Sequence, residues 1–94
     1  MQLEIITPEA EIFKGEAEAV QFPGLDGSFQ VLNNHAPIIS ALAEGSVKVD
    51  LKEAFNEEEH GSESIETDGA KTIRIAIKGG VVEMLNNKLI VLAE

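Results

Sequence analysis

The chain predicts an all-β fold, and three observations carry that prediction. Apolar and polar residues alternate in short runs that recur roughly every 8–12 residues, with turn signals between them, as in a sandwich or barrel. In the clearest runs, Val47 to Leu51 and Ile73 to Ile77, the branched side chains all fall on one side. The core material is aliphatic: 44% of the 94 residues are hydrophobic, with four Phe and no Trp, Tyr or Cys. That supplies one core for a single domain over residues 1–94, near the lower size limit at which a core suffices.

Taken in order, Gln2 to Thr7 reads as a strand rich in β-branched residues and stopped by Pro8. Glu11 to Lys14 is a short second strand, and Gly15 marks a corner after it. Glu16 to Phe22 contains Ala and Glu, which favour helix, but so short a run between Gly15 and Pro23 reads better as a strand. Its change of face is bracketed by Ala17, Ala19 and Phe22.

Pro23 to Ile38 organises the rest. Pro23-Gly24 and Asp26-Gly27 are turn signals, and Phe29 and Val31 then share one face of a strand while Ser28 and Gln30 share the other. Asn33 and Asn34 tolerate the left-handed region, and Pro37 pushes Ala36 towards an extended conformation. Strands follow at Ile38 to Ala43, from Gly45, and at Thr72 to Lys78. Gly79-Gly80 reads as a turn or bulge that lets two strands approach closely. Asn86-Asn87 joins Val81–Leu85 to Lys88–Ala93 as a two-residue hairpin turn.

One segment breaks the rhythm. Lys52 to Lys71 holds Glu53, Glu57, Glu58, Glu59, Glu63, Glu66 and Asp68, with no Lys or Arg between its ends. It reads as a solvated, flexible acidic insertion at about 53–70, within which a short helix over Lys52 to Glu59 is allowed. The order of its acids is not that of a calcium-binding loop.

The net charge of −10 argues against nucleic acid and against adsorption to anionic lipid. No run of about 18 apolar residues exists to cross a membrane. An acid, Glu4, stands where a signal peptide carries Lys or Arg, so the default location is the cytoplasm.

Nothing has the make-up of an active site. The histidines are His35 and His60, and no Ser sits in a nucleophile elbow. Asp26, His35 and Ser40 make a triad only on paper. Gly24 to Gly27 lacks the Lys-Ser/Thr ending and the following helix of a phosphate loop. Catalytic residues, a metal site and a cofactor are therefore not expected. His35 reads either as a turn residue bonded to a neighbouring carbonyl or as a contact residue at a protein interface.

The block Ser28-Phe29-Gln30-Val31-Leu32-Asn33-Asn34-His35-Ala36-Pro37-Ile38-Ile39-Ser40-Ala41-Leu42, followed by Gly45, resembles the His-Ala-Pro block of the epsilon subunit of rotary F-type ATP synthases, called delta in mitochondria. Gly79-Gly80-Val81-Val82-Glu83 and Leu89-Ile90-Val91-Leu92-Ala93-Glu94 resemble that family's close, and Leu3 to Gly15 resembles its opening. The resemblance covers the chain outside Lys52–Lys71. It implies a ten-stranded β-sandwich of two antiparallel sheets. It implies a non-catalytic rotor subunit that binds the gamma subunit and rests on the c-subunit ring. By residue matching, the ring-facing corner is Leu25, Asp26, Gly27, Ser28 and Gln30. The gamma-facing surface includes Thr7, His35, Ala36, Pro37, Ser40 and Ala41.

Two departures accompany the resemblance. Family members commonly continue into a pair of C-terminal helices, which in some bind ATP; this sequence stops at Glu94, so no C-terminal helical domain and no ATP binding are expected. The acidic insertion is also longer than the usual turn. As a synthase subunit the chain would sit on the cytoplasmic face of a bacterial inner membrane, touching the membrane only through the complex. The rival expectation is a free-standing small-molecule-binding sandwich, which would require a concave pocket with convergent polar groups.

Overall fold

A computed structural model describes residues 1–56 and 64–94. The strands are β1 (Gln2–Ile6), β2 (Glu11–Gly24), β3 (Gly27–Leu32), β4 (Ile38–Leu42), β5 (Gly45–Leu51), β6 (Ile65–Thr67), β7 (Thr72–Ile77), β8 (Gly80–Leu85) and β9 (Lys88–Ala93). Among the described residues that makes nine strands and no helix. The hydrogen-bonded order is β1-β9-β8-β4-β2-β5-β7-β6, with β3 on β2 and β1 returning to β2.

The path folds into two layers because β2 serves both. Its first part, Glu11 to Glu16, pairs with β1. Its second part pairs with β3 on one side and β5 on the other. One layer is thus β4, β8, β9, β1 and the start of β2, and the other is β3, the end of β2, β5, β7 and β6. A single pair, Gly24 opposite Leu42, joins them again at the far end of β2.

This corrects the corner expected at Gly15. The strand runs 14 residues straight through it. Gly15 is instead needed because the Phe13 ring lies where its Cβ would go, at 2.9 Å. The change of layer comes at a register shift between Ala17 and Ala19. Burial passes from Phe13 and Ala17 to Val20 and Phe22, a step of three among steps of two or four. An extra residue in one strand re-aims every side chain after it, and the switch falls at the two alanines, with Phe22 already past it.

Two further differences concern pairing. β1 and β9 run parallel, from Gln2 opposite Lys88 to Ile6 opposite Leu92, where antiparallel sheets were expected throughout. The flanks of the acidic insertion are also built into the fold. Ile65 pairs with Ile75 in β7, the Phe55 N–H donates to the Ala70 carbonyl at 2.8 Å, and both Phe55 and Ile65 pack half-buried against the core. These are the large apolar side chains of the insertion, and burial recovers what leaving them in water would forfeit. Lys52 to Asn56 is not helical. Glu57 to Glu63, which includes most of the acids and His60, lies outside the described residues.

The core is the set of inward branched residues that the alternation predicted: Val47, Val49 and Leu51 on β5, and Ile73, Ile75 and Ile77 on β7. Leu3, Ile5, Val82, Met84, Leu89 and Val91 face them from the other layer. Phe22 and Phe29 meet with ring centroids 5.4 Å apart. No polar or charged side chain is buried among the described residues. Asn86 and Asn87 turn the β8–β9 hairpin with φ of 51° and 58°. Gly80, at φ 147°, lies so close to the Leu92 carbonyl oxygen that a Cβ there would collide with it.

Gly80→Ala is expected to cost about 3 kcal/mol, since neither that φ nor that contact accepts a methyl group without backbone movement. Urea denaturation measures it, and an unchanged midpoint would refute the close approach. Replacing residues 53–68 by a two-residue turn should cost about 2 kcal/mol through loss of Phe55 and Ile65 from the core. A variant as stable as the parent would mean that these flanks contribute nothing.

Candidate functional site

The two layers present opposite chemistry to solvent. On the β4-β8-β9-β1 layer, cross-strand register lines up Ala41, Val81, Leu92 and Ile6 in one outward row. The next row reads Ile39, Glu83, Ile90 and Glu4. Ile39 is 75% exposed and Leu92 57%, with Leu85 also exposed beside them. On the other layer the central outward row is Gln30, Gln21, Lys48, Arg74 and Glu66. Scattered exposed apolar residues are ordinary, whereas a contiguous apolar face is a mark of an interaction site.

The expected ring-facing residues form one unit. Leu25 and Asp26 are the two turn residues between Gly24 and Gly27, which face each other across the β2–β3 hairpin. Gly27 has φ 119°, a conformation that favours glycine. Ser28 and Gln30 follow on the outward side of β3. The Leu25 N–H donates to the Ala41 carbonyl at 3.3 Å, which ties the tip to the end of β4. Leu25 is 67% exposed. A turn with one apolar and one acidic side chain at its apex can seat against another protein.

The expected gamma-facing residues divide. His35, Ala36 and Pro37 form an exposed loop leading into β4. A polar clasp fixes that loop: Asn87 Nδ2 donates to Asn33 Oδ1 at 3.0 Å, and the Asn34 N–H donates to Asn87 Oδ1 at 2.8 Å. The Met1 ammonium also donates to Asn33 Oδ1, at 2.7 Å. Asn34 takes φ 64°, and the His35 N–H closes the turn onto the Leu32 carbonyl at 3.1 Å. The His35 ring bonds the Ala36 carbonyl through Nδ1 at 2.7 Å, so it is a turn residue as one of the two readings had it, and it stays exposed.

Ala41 lies on the apolar face, and Pro37 borders it in a groove of about 450 Å³ shared with Ile38, Ile39, Glu83, Met84 and Leu85. Ser40 alternates to the core side of β4, opposite buried Val82, and is half-buried. Thr7 follows Ile6 at the far end of β1, where its hydroxyl and N–H both donate to the Ala10 carbonyl. Register places that end level with the Gly24–Gly27 turn and opposite the His35 loop. The fold therefore gathers Pro37 and Ala41 onto one surface and leaves Thr7 and Ser40 off it.

Sequence reasoning missed Ile39, Val81 and Leu92. A signal was present: Ile38-Ile39, Val81-Val82 and Leu89 to Leu92 are apolar at both parities, unlike β5 and β7. Strands apolar on both faces are covered on both faces. No group of His, Asp or Glu suited to a metal ion exists among the described residues.

Residues 1–60 match the family described as ATP synthase, delta/epsilon chain, beta-sandwich domain. The chain belongs to this family. It is 36% identical to the ATP synthase epsilon chain of Caulobacter vibrioides over 94 residues, which covers all of this chain and 90% of that one. It is 32% identical over 93 residues to the epsilon chain of Desulforamulus reducens, of which it spans only 58%. Among solved structures, it superposes with a TM-score of 0.69 on a chain of the Tetrahymena thermophila mitochondrial ATP synthase central stalk and c-ring. The identity there is 18%, covering 99% of this chain and 62% of that one, so the likeness is one of fold. The delta/epsilon sandwich is thus the architecture here, with nine strands among the described residues, of which β2 serves both layers.

Ile39→Ser and Leu92→Ser, both outward, should each leave folding stability within about 0.5 kcal/mol. Both should lower the binding of an environment-sensitive apolar dye to the native protein. A cooperative loss of stability would show that these side chains belong to the core.

Proposed function

We propose that the chain is a non-catalytic central-stalk subunit of a rotary ATP synthase. In this reading its apolar layer docks the gamma subunit, and the Leu25–Asp26 turn, with Gly27, Ser28 and Gln30, seats on the c-subunit ring. The observation that carries the reading is the exposed apolar face of Ile39, Val81 and Leu92 on a domain of delta/epsilon type. Such a surface gains free energy by leaving water, at roughly 25 cal/mol per Å² of apolar area covered, and so fits a protein partner. Coupling shaft to ring is mechanical work, for which a close-packed aliphatic interior of low compressibility is suited. The chain would then lie on the cytoplasmic face of a bacterial inner membrane, held there by the complex.

The rival small-molecule reading finds less support. The grooves are open to solvent, and no polar side chain is buried among the described residues to orient a ligand.

Pull-down by gamma and by assembled c-ring, run beside a melting curve for each variant, tests the reading. His35→Glu should leave the isolated sandwich folded and weaken gamma binding at least about tenfold, since an interface charge without a partner is costly. Asp26→Lys and Ser28→Glu should weaken retention on the ring while gamma binding survives. If His35→Glu leaves gamma binding untouched, the His35 loop is not part of that interface.

A further inference from the structure

The apolar layer carries two outward carboxylates in one row, and the chain treats them differently. Glu4 sits between Lys14 and Lys88, with Nζ–Oε distances of 3.6 and 3.7 Å, and its side chain is largely covered. It is neutralised from within. Glu83 has Ile39 and Ile90 as its cross-strand neighbours and Val81 and Leu85 on its own strand. No ion pair reaches it among the described residues, and the nearest cation by register, Lys88, is already engaged with Glu4. A lone acid therefore stands in the middle of the surface that is otherwise built to be covered, and it also lines the groove below Pro37.

In the free chain Glu83 is exposed and hydrated. A partner laid over Ile39, Val81 and Leu92 removes that water. Stripping a carboxylate without supplying a counter-charge costs more than the surrounding apolar contacts return. A wholly apolar partner is thus rejected at the centre of the face. A second copy of the same face is rejected as well, because it would bring carboxylate towards carboxylate and offer no free cation.

Resting on the docking reading above, we infer that Glu83 sets the partner's chemistry: an apolar segment of the gamma subunit that carries one Lys or Arg, which meets this carboxylate when the face is covered. Arg fits best, since its guanidinium can grip both carboxylate oxygens. Lys suffices as a point charge. The apolar rows supply adhesion, and Glu83 supplies register. Sliding the segment by one residue would separate the charges and leave both stranded in an apolar interface.

The test uses this chain and the gamma subunit of the same synthase, with dissociation constants measured by calorimetry. Variants are Glu83→Gln, Glu83→Lys, Glu83→Leu and, as a control for the face itself, Ile39→Asp. All point outward, and a melting curve for each confirms the fold. Glu83→Gln should weaken gamma binding about tenfold and Glu83→Lys at least about a hundredfold, because the latter sets two cations against each other. Glu83→Leu should also weaken it, although it makes the face more apolar. One Lys→Glu or Arg→Glu change in gamma should restore binding to Glu83→Lys. If Glu83→Leu and Glu83→Lys bind as tightly as the parent while Ile39→Asp does not bind, Glu83 stays solvated at a rim and the inference fails with the docking face intact. If Ile39→Asp binds normally too, gamma does not use this face, and both readings fall.

Discussion

The structure depends on one strand belonging to two sheets. β2 pairs with β1 along its first part and with β3 and β5 along its second, and the register shift between Ala17 and Ala19 lets its inward face follow the change. Without that shift, the residues that fill the core before the switch would be followed by residues aimed at water. Each layer alone would expose half of its branched side chains. With the shift, a chain of only 94 residues closes around a core with no disulfide and no Trp or Tyr. The Gly24–Leu42 pair then completes the circuit and carries the β2–β3 turn to its place at one end.

That closure leaves a molecule with unlike faces. Gln21, Gln30, Lys48, Arg74 and Glu66 make one surface that water solvates well. Ile39, Val81 and Leu92 make another that water does not. Burial on both sides of β4, β8 and β9 is the arrangement of strands inside an assembly. Here a second cover would come from outside the described sandwich, as the proposed docking on this face supplies. The polar clasp between Asn33 and Asn87 adds to this by holding the His35 loop against the β8–β9 hairpin at the border of that face.

Much of the fold was legible because alternation is a direct record of burial. β5 and β7 were readable residue by residue, as were the turns at Asn86-Asn87 and Gly79-Gly80. Gly15 misled because a glycine signals permission, and the permission was used for the Phe13 ring rather than for a corner. The flanks of the acidic insertion misled because Phe55 and Ile65 are isolated among acids, and only the edge of β7 gives them somewhere to go. The surfaces were half legible. The Leu25–Asp26 turn is local and follows from Gly and Asp chemistry. The apolar face is assembled from three strands far apart in the chain, so its contiguity appears only once register is known. The parity of Ile39, Val81 and Leu92 hinted at it.

The parallel pairing of β1 with β9 has a consequence for how the molecule is made. Residues 2–6 find their neighbours at residues 88–92, almost the whole chain away. During synthesis the layer containing β2, β3, β5 and β7 can begin to pair while the last strands are still inside the ribosome. The other layer closes later, since β9 separates β1 from β8 and follows both in the chain. Contacts of such long sequence separation form late, after the loop-closure entropy has been met. Until β9 pairs, β1 has only β2 to shield Leu3 and Ile5, so the nascent protein carries a temporary apolar surface that the arrival of β9 removes.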